Sequence, residues 1–176
     1  FSEKQKTLYI NFNKNTNHEN RNKIYQTYKN KDWAIIKQPT LSMEEYNNDL
    51  QKNLYVLSPW GNGIDTHRFW EALYSGSIPI TAPHTTYSSA SDLPVIYFEN
   101  LNSITIDVLD KYVELFKQET FKWEKLKIQY WISIINESKV NSNEISKVSF
   151  NKFFNRYLNK KFKTIKWLKS KIKKIR

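Results

Sequence analysis

Cysteine is absent from this 176-residue chain, which removes a disulfide framework and any thiolate metal site. Histidine is scarce as well: His18, His67 and His84 are the only three, and their scatter argues against a zinc centre. No metal is expected. No apolar run approaches the roughly 18 residues that a membrane-crossing helix needs, and no signal-peptide pattern is present. A cytoplasmic protein is therefore expected, peripheral at a membrane if it touches one at all. Methionine does not open the chain, which begins with Phe1, so the sequence is read as a piece of a longer polypeptide. Glycine is the most informative scarcity. The only three, Gly61, Gly63 and Gly76, all fall within residues 57–80, so the backbone must turn sharply or approach something closely in that one stretch.

Acidic residues are missing from the end of the chain. Residues 151–176 hold eleven Lys or Arg and no Asp or Glu; removing them from the total of 28 leaves 17 basic against 17 acidic in residues 1–150. The net charge of +11 thus belongs to the tail, and the neutral body argues against a basic nucleic-acid-binding face. Within the tail, Leu158, Phe162, Ile165, Leu168, Ile172 and Ile175 recur at three- or four-residue steps among lysines. That pattern is a basic amphipathic helix. It suits packing against a missing part of the protein, an anionic membrane surface, or nucleic acid and solvent, in that order.

What is present elsewhere alternates between strand and helix signals. Apolar runs at residues 7–12, 33–36, 54–57, 78–80 and 94–98 read as strands, the third apolar enough to be buried on both faces. Helices are expected at 18–29, capped by Asn17, and at 42–51, where Ser42 and Glu45 fit a capping box and Met43, Tyr46 and Leu50 face inward. Further helices are expected at 104–116 and 121–136. This alternation predicts an α/β fold: a single Rossmann-like domain over residues 1–140, with a right-handedly wound parallel sheet flanked by helices, followed by the helical tail 141–176.

The stretch 57–80 carries the chemistry. After the third strand, Ser58-Pro59 leads into the loop Gly61-Asn62-Gly63, and Asp65 or Thr66 caps a helix with Phe69, Trp70, Leu73 and Tyr74 on its apolar positions. Gly76 stands where that helix stops in the left-handed conformation. A glycine loop between a buried strand and a helix N-terminus presents backbone N–H groups and the positive end of the helix dipole, which suits a phosphate. Arg68, in the first turn, offers a planar fork worth roughly 1.5–3 kcal/mol per charge-assisted hydrogen bond. Glu71, one turn further on the same face, repels phosphate and suits a neutral diol such as ribose. The plainer alternative is a surface pair between Arg68 and Glu71. Ser58, Asn62, Gly61, Gly63, Asp65, Thr66, His67 and Thr81 complete the expected site, with His84 and Tyr87 on the hydroxyl-rich loop 81–92 within reach. Arg21 is read first as a residue of a solvated helix face and second as one that reaches the crevice.

The run G-x-G-x-D-x-x-R-x-W-E-A-L-x-x-G-x-I-P-I resembles the donor-binding motif of GT-B glycosyltransferases, most closely the exostosin-like family. The looser likeness extends over residues 8–98. By that resemblance the chain is the C-terminal, nucleotide-sugar-binding half of a GT-B fold, with Glu71 on the ribose, Arg68 near the diphosphate and an N-terminal half missing. It implies transfer of a sugar, from a uridine diphosphate donor first and a guanosine diphosphate donor second, to a glycan or lipid-linked acceptor. No metal is required if loop N–H groups and Arg68 stabilise the leaving phosphates, and the base that activates the acceptor belongs to the facing half. The competing readings are a non-catalytic Rossmann-like binding or assembly module, and a nucleic-acid or membrane binder acting through the tail.

Overall fold

A computed structural model describes residues 3–141. Five strands form one all-parallel sheet in the order β2-β1-β3-β4-β5: β1 (Gln5–Ile10), β2 (Ala34–Ile36), β3 (Asn53–Leu57), β4 (Ile78–Thr81) and β5 (Ile96–Tyr97). The fold is a Rossmann-like α/β domain. Each crossover runs through a helix or a short 3-10 turn: α1 (His18–Tyr28), α2 (Met43–Lys52), α3 (His67–Tyr74), then the turn Thr85–Ala90. Beyond β5 come α4 (Ile106–Phe116), the turn Trp123–Leu126 and α5 (Ile128–Asn141).

Strand alternation decides which layer each helix joins. Leu8 and Ile10 of β1 point into a cluster with Ile24 and Tyr28 of α1 and Leu109 and Val113 of α4. Tyr9, between them, points the other way, to Val56, Leu50 of α2 and Ala72 of α3. A third cluster joins Phe69 and Leu73 of α3 to Tyr87 and Ala90 of the following turn. Helices therefore cover both faces, and β3 is buried along its whole length. A sheet in this order reverses its direction of winding between β1 and β3, and the connections leaving those two strands diverge to opposite faces. A crevice opens there.

Several local expectations are corrected. β1 ends at Ile10, two residues early, so Asn11 and Phe12 lie beyond the strand. Asn17 stands at the N-cap of α1 in the left-handed region, φ 48°, and makes no side-chain cap. Its amide donates instead to the Trp60 carbonyl at 3.3 Å, tying the β1–α1 loop to the β3–α3 loop. Met43 and Tyr74, both expected inward, are 73% and 66% exposed. The loop 81–92 contains a 3-10 turn, and the helix expected at 121–136 is divided into the turn Trp123–Leu126 and α5. The capping box on α2 is present as expected.

The chain separates into two compact units, Phe1–Leu126 and Lys127–Arg176. The amphipathic pattern expected at 151–176 lies outside the described residues. Among the described residues no helix is long and apolar enough to cross a membrane.

Candidate functional site

The crevice between β1 and β3 holds a cavity of about 480 Å³. Its walls come from the β1–α1 loop (Asn11, Thr16), α1 (Arg21), the connection into α2 (Pro39, Leu41), α2 (Met43, Tyr46), the β3–α3 loop and the first turns of α3. Gly61, Asn62, Gly63, Asp65, Thr66, His67, Arg68 and Glu71 all line it, so most of the residues singled out from sequence share one cavity. Ser58 and Thr81 do not. Both are fully buried at strand ends, where the Ser58 amide donates to the Ile80 carbonyl and the Thr81 carbonyl accepts from Phe98. His84 and Tyr87 also lie off the cavity wall: His84 caps the turn Thr85–Ala90, and Tyr87 is stacked on Phe69 in the core. That turn packs on α3 and touches the β3–α3 loop from behind, through His84 on Trp60 and Tyr87 on the Ile64 carbonyl.

The β3–α3 loop is tied down from three sides. Arg21, 5% exposed, donates from Nε to the Trp60 carbonyl at 3.0 Å, from Nη2 to the Pro59 carbonyl at 3.0 Å and from Nη1 to the Asn13 carbonyl at 3.0 Å, and Nη1 also reaches the Thr16 hydroxyl. Its plane lies over the Phe12 ring, 5.1 Å from the centroid. Arg21 is thus a buried cross-link between two loops rather than a solvated residue. Gly61 follows from it: a Cβ there would stand 2.9 Å from Arg21 Nη2. From behind, the Tyr87 hydroxyl donates to the Ile64 carbonyl, with the Thr66 and Thr81 hydroxyls beside it. On the outer side, Trp70 Nε1 donates to Asp65 Oδ1 at 2.9 Å, so Asp65 anchors the loop to α3. Thr66 is the N-cap residue by position and makes no side-chain cap.

The glycine loop is not an open row of donors. The Gly61 N–H is taken by the Gly63 carbonyl at 3.0 Å, and of the three glycines only Gly76, at φ +70°, is left-handed. The anion-seeking groups lie a few residues later, at the start of α3. Among the described residues the backbone N–H groups of His67 and Arg68 have no acceptor, as expected in the first turn of a helix. Arg68 is half-buried: its Nη2 donates to the neutral Asn11 Oδ1 at 3.5 Å, the Tyr46 hydroxyl lies beside its guanidinium, and its Nε is buried with no hydrogen-bond partner among the described residues. Four ion pairs occur among the described residues, and neither Arg21 nor Arg68 belongs to one. Two guanidinium groups therefore face one cavity with no carboxylate paired to either. Burial pulls the Arg21 pKa down to about 10, and the charge of Arg68 adds to the fall. Arg21 remains cationic at neutral pH.

Glu71 does not pair with Arg68. Its Oε2 accepts from the Tyr46 hydroxyl of α2 at 2.7 Å across the cavity wall. Burial drives the Tyr46 pKa upward; the neighbouring Arg68 charge opposes the rise, and the bond to the Glu71 carboxylate adds to it.

The chain matches no protein-family model and no curated protein. Its site is therefore read from geometry and from its own sequence. Among the described residues no group of three His, Asp or Glu side chains is placed to hold a metal ion. Asn11 and Tyr46 are among the cavity residues not singled out from the sequence as site residues, and the sequence places Arg21 at the crevice only second to a solvated helix face. Asn11 carries the signal of its position, immediately past a strand end at the switch point. Arg21 lies three residues before Ile24 and seven before Tyr28, on the stripe those residues bury. Tyr46 has no local signal, since its partner Glu71 is 25 residues away.

Proposed function

We propose that this chain is the donor-binding half of a GT-B glycosyltransferase, taking a nucleotide diphosphate sugar in the β1/β3 crevice and passing the sugar to a glycan or lipid-linked acceptor. One observation carries the reading. Arg68 stands on the cavity wall without an acidic partner, while Glu71, one turn away, is held apart from it by Tyr46. An unneutralised guanidinium beside a helix N-terminus favours a diphosphate, and a carboxylate with one oxygen uncommitted favours the vicinal hydroxyls of ribose. A cavity of about 480 Å³ falls within the range of small-molecule sites. The resemblance of residues 57–80 to the exostosin-like motif supports the same assignment.

In the transfer step, negative charge grows on the departing diphosphate as the glycosidic bond breaks. Arg68 and the first N–H groups of α3 are already oriented to receive it. Each carboxylate on the wall already accepts a hydrogen bond from an aromatic side chain, Asp65 from Trp70 and Glu71 from Tyr46. The base that activates the acceptor accordingly belongs to a facing domain, as expected of a GT-B partner half. The same observation favours the second reading, a nucleotide-binding module without catalysis of its own.

Calorimetric titration with UDP, GDP, CMP and dTDP tests the proposal. Selective binding of one nucleoside diphosphate is expected, UDP first and GDP second, weakened about tenfold or more in both Arg68→Ala and Glu71→Ala, a loss of about 1.4 kcal/mol each. A folded chain that binds none of the four overturns the donor-site reading.

A further inference from the structure

Arg68 and Glu71 are three residues apart on one helix, the spacing at which opposite charges ordinarily pair. They do not pair here. The Tyr46 hydroxyl takes Glu71 Oε2 at 2.7 Å, and the Tyr46 ring is held by packing against Tyr9, 6.3 Å between centroids and inclined at 42°. α2 therefore fixes the carboxylate through a rigid side chain with few rotamers, and the same hydroxyl stands beside Arg68, whose contact to the neutral Asn11 amide is long, at 3.5 Å.

We infer that Tyr46 is a positioning residue that keeps Glu71 from neutralising Arg68, so that one site presents a free cation to a diphosphate and a free carboxylate oxygen to a ribose. This rests on the nucleotide-binding reading above. Without the hydroxyl, Glu71 loses the hydrogen bond that holds it and lies within one turn of a guanidinium that pairs with no carboxylate among the described residues. The two charges then close on each other, and both halves of the ligand lose their contacts together. Ligand affinity thereby depends on a residue of α2 that need not touch the phosphates.

Titration with inorganic pyrophosphate, at fixed ionic strength, tests this on the full chain in four forms. The unaltered protein binds. Tyr46→Phe, which keeps the ring and its packing, binds about tenfold more weakly. Glu71→Gln binds at least as tightly as the unaltered protein, because a nearby negative charge is gone. The double variant Tyr46→Phe/Glu71→Gln recovers the unaltered affinity, since a neutral amide cannot quench Arg68. That recovery separates an electrostatic role from structural damage, which a second substitution does not repair. Unchanged affinity in Tyr46→Phe, or a double variant as weak as Tyr46→Phe, overturns the inference alone if the unaltered protein binds. No binding of pyrophosphate or any nucleotide by the unaltered protein overturns the donor-site reading, and the inference with it.

Discussion

Arg21 and the three glycines give the sharpest test at the scale of single residues. The glycines look alike in sequence and differ in cause. Gly61→Ala drives a methyl to 2.9 Å from a guanidinium that four hydrogen bonds prevent from yielding. A loss of about 1–3 kcal/mol is expected from such overpacking. Gly76→Ala places a side chain at φ +70°, at a cost of about 1–2 kcal/mol. Gly63→Ala meets nothing nearer than the Asp65 carbonyl at 3.8 Å and stays within about 0.5 kcal/mol of the parent. Urea unfolding of the three variants checks the order; a Gly63→Ala as damaging as Gly61→Ala contradicts it. Gly76 was legible from sequence because a helix stop is a local demand. Gly61 was legible only as a close approach, since what approaches it comes from a helix some forty residues earlier.

At the scale of elements, α2 shows how a local signal supports a distant function. Ser42 and Glu45 form the capping box that the spacing predicts, with Glu45 Oε2 accepting from the Ser42 amide at 2.9 Å and from its hydroxyl at 2.7 Å. Those two bonds hold the Glu45 carboxyl below its ordinary pKa. A carboxyl depressed on folding stabilises the native state above its unfolded pKa and stops doing so as the pH falls through the folded value. The melting-temperature gap between the parent and Glu45→Ala is therefore expected at pH 7 and is smaller at an acid pH below the folded carboxyl's pKa, where the carboxyl is protonated in both states. Thermal melts at the two pH values check this, and an equal gap at both refutes it. The box sets the start of the helix that carries Tyr46. In α1 the local signal failed: Asn17 gave up its capping role to reach Trp60, because tertiary contacts of the site outweighed a terminal hydrogen bond.

For the whole molecule, the parallel sheet and its winding decide where a ligand belongs. All three apolar clusters and the complete cavity lie within Phe1–Leu126. A chain ending at Leu126 is accordingly expected to unfold in one cooperative transition and to keep the nucleotide affinity of the full chain. Circular dichroism melts and the same titration check this; loss of the transition places an essential contact beyond Leu126. The charge division points the same way, since residues 1–150 are balanced and residues 151–176 carry the excess.

By itself the sequence determined the fold class, the order of strands and helices, and the cluster of Gly61, Arg68 and Glu71, because periodicity, caps and helix spacing act over a few residues. Only the tertiary structure decided the rest. It showed that Arg21 is a buried strut, that Asn11 and Tyr46 stand on the wall, and that Ser58, Thr81, His84 and Tyr87 do not line the cavity. The physical reason is the switch point. Which loops diverge to open a crevice depends on the order of strands in the sheet, and that order is set by long-range pairing that no short stretch of sequence records.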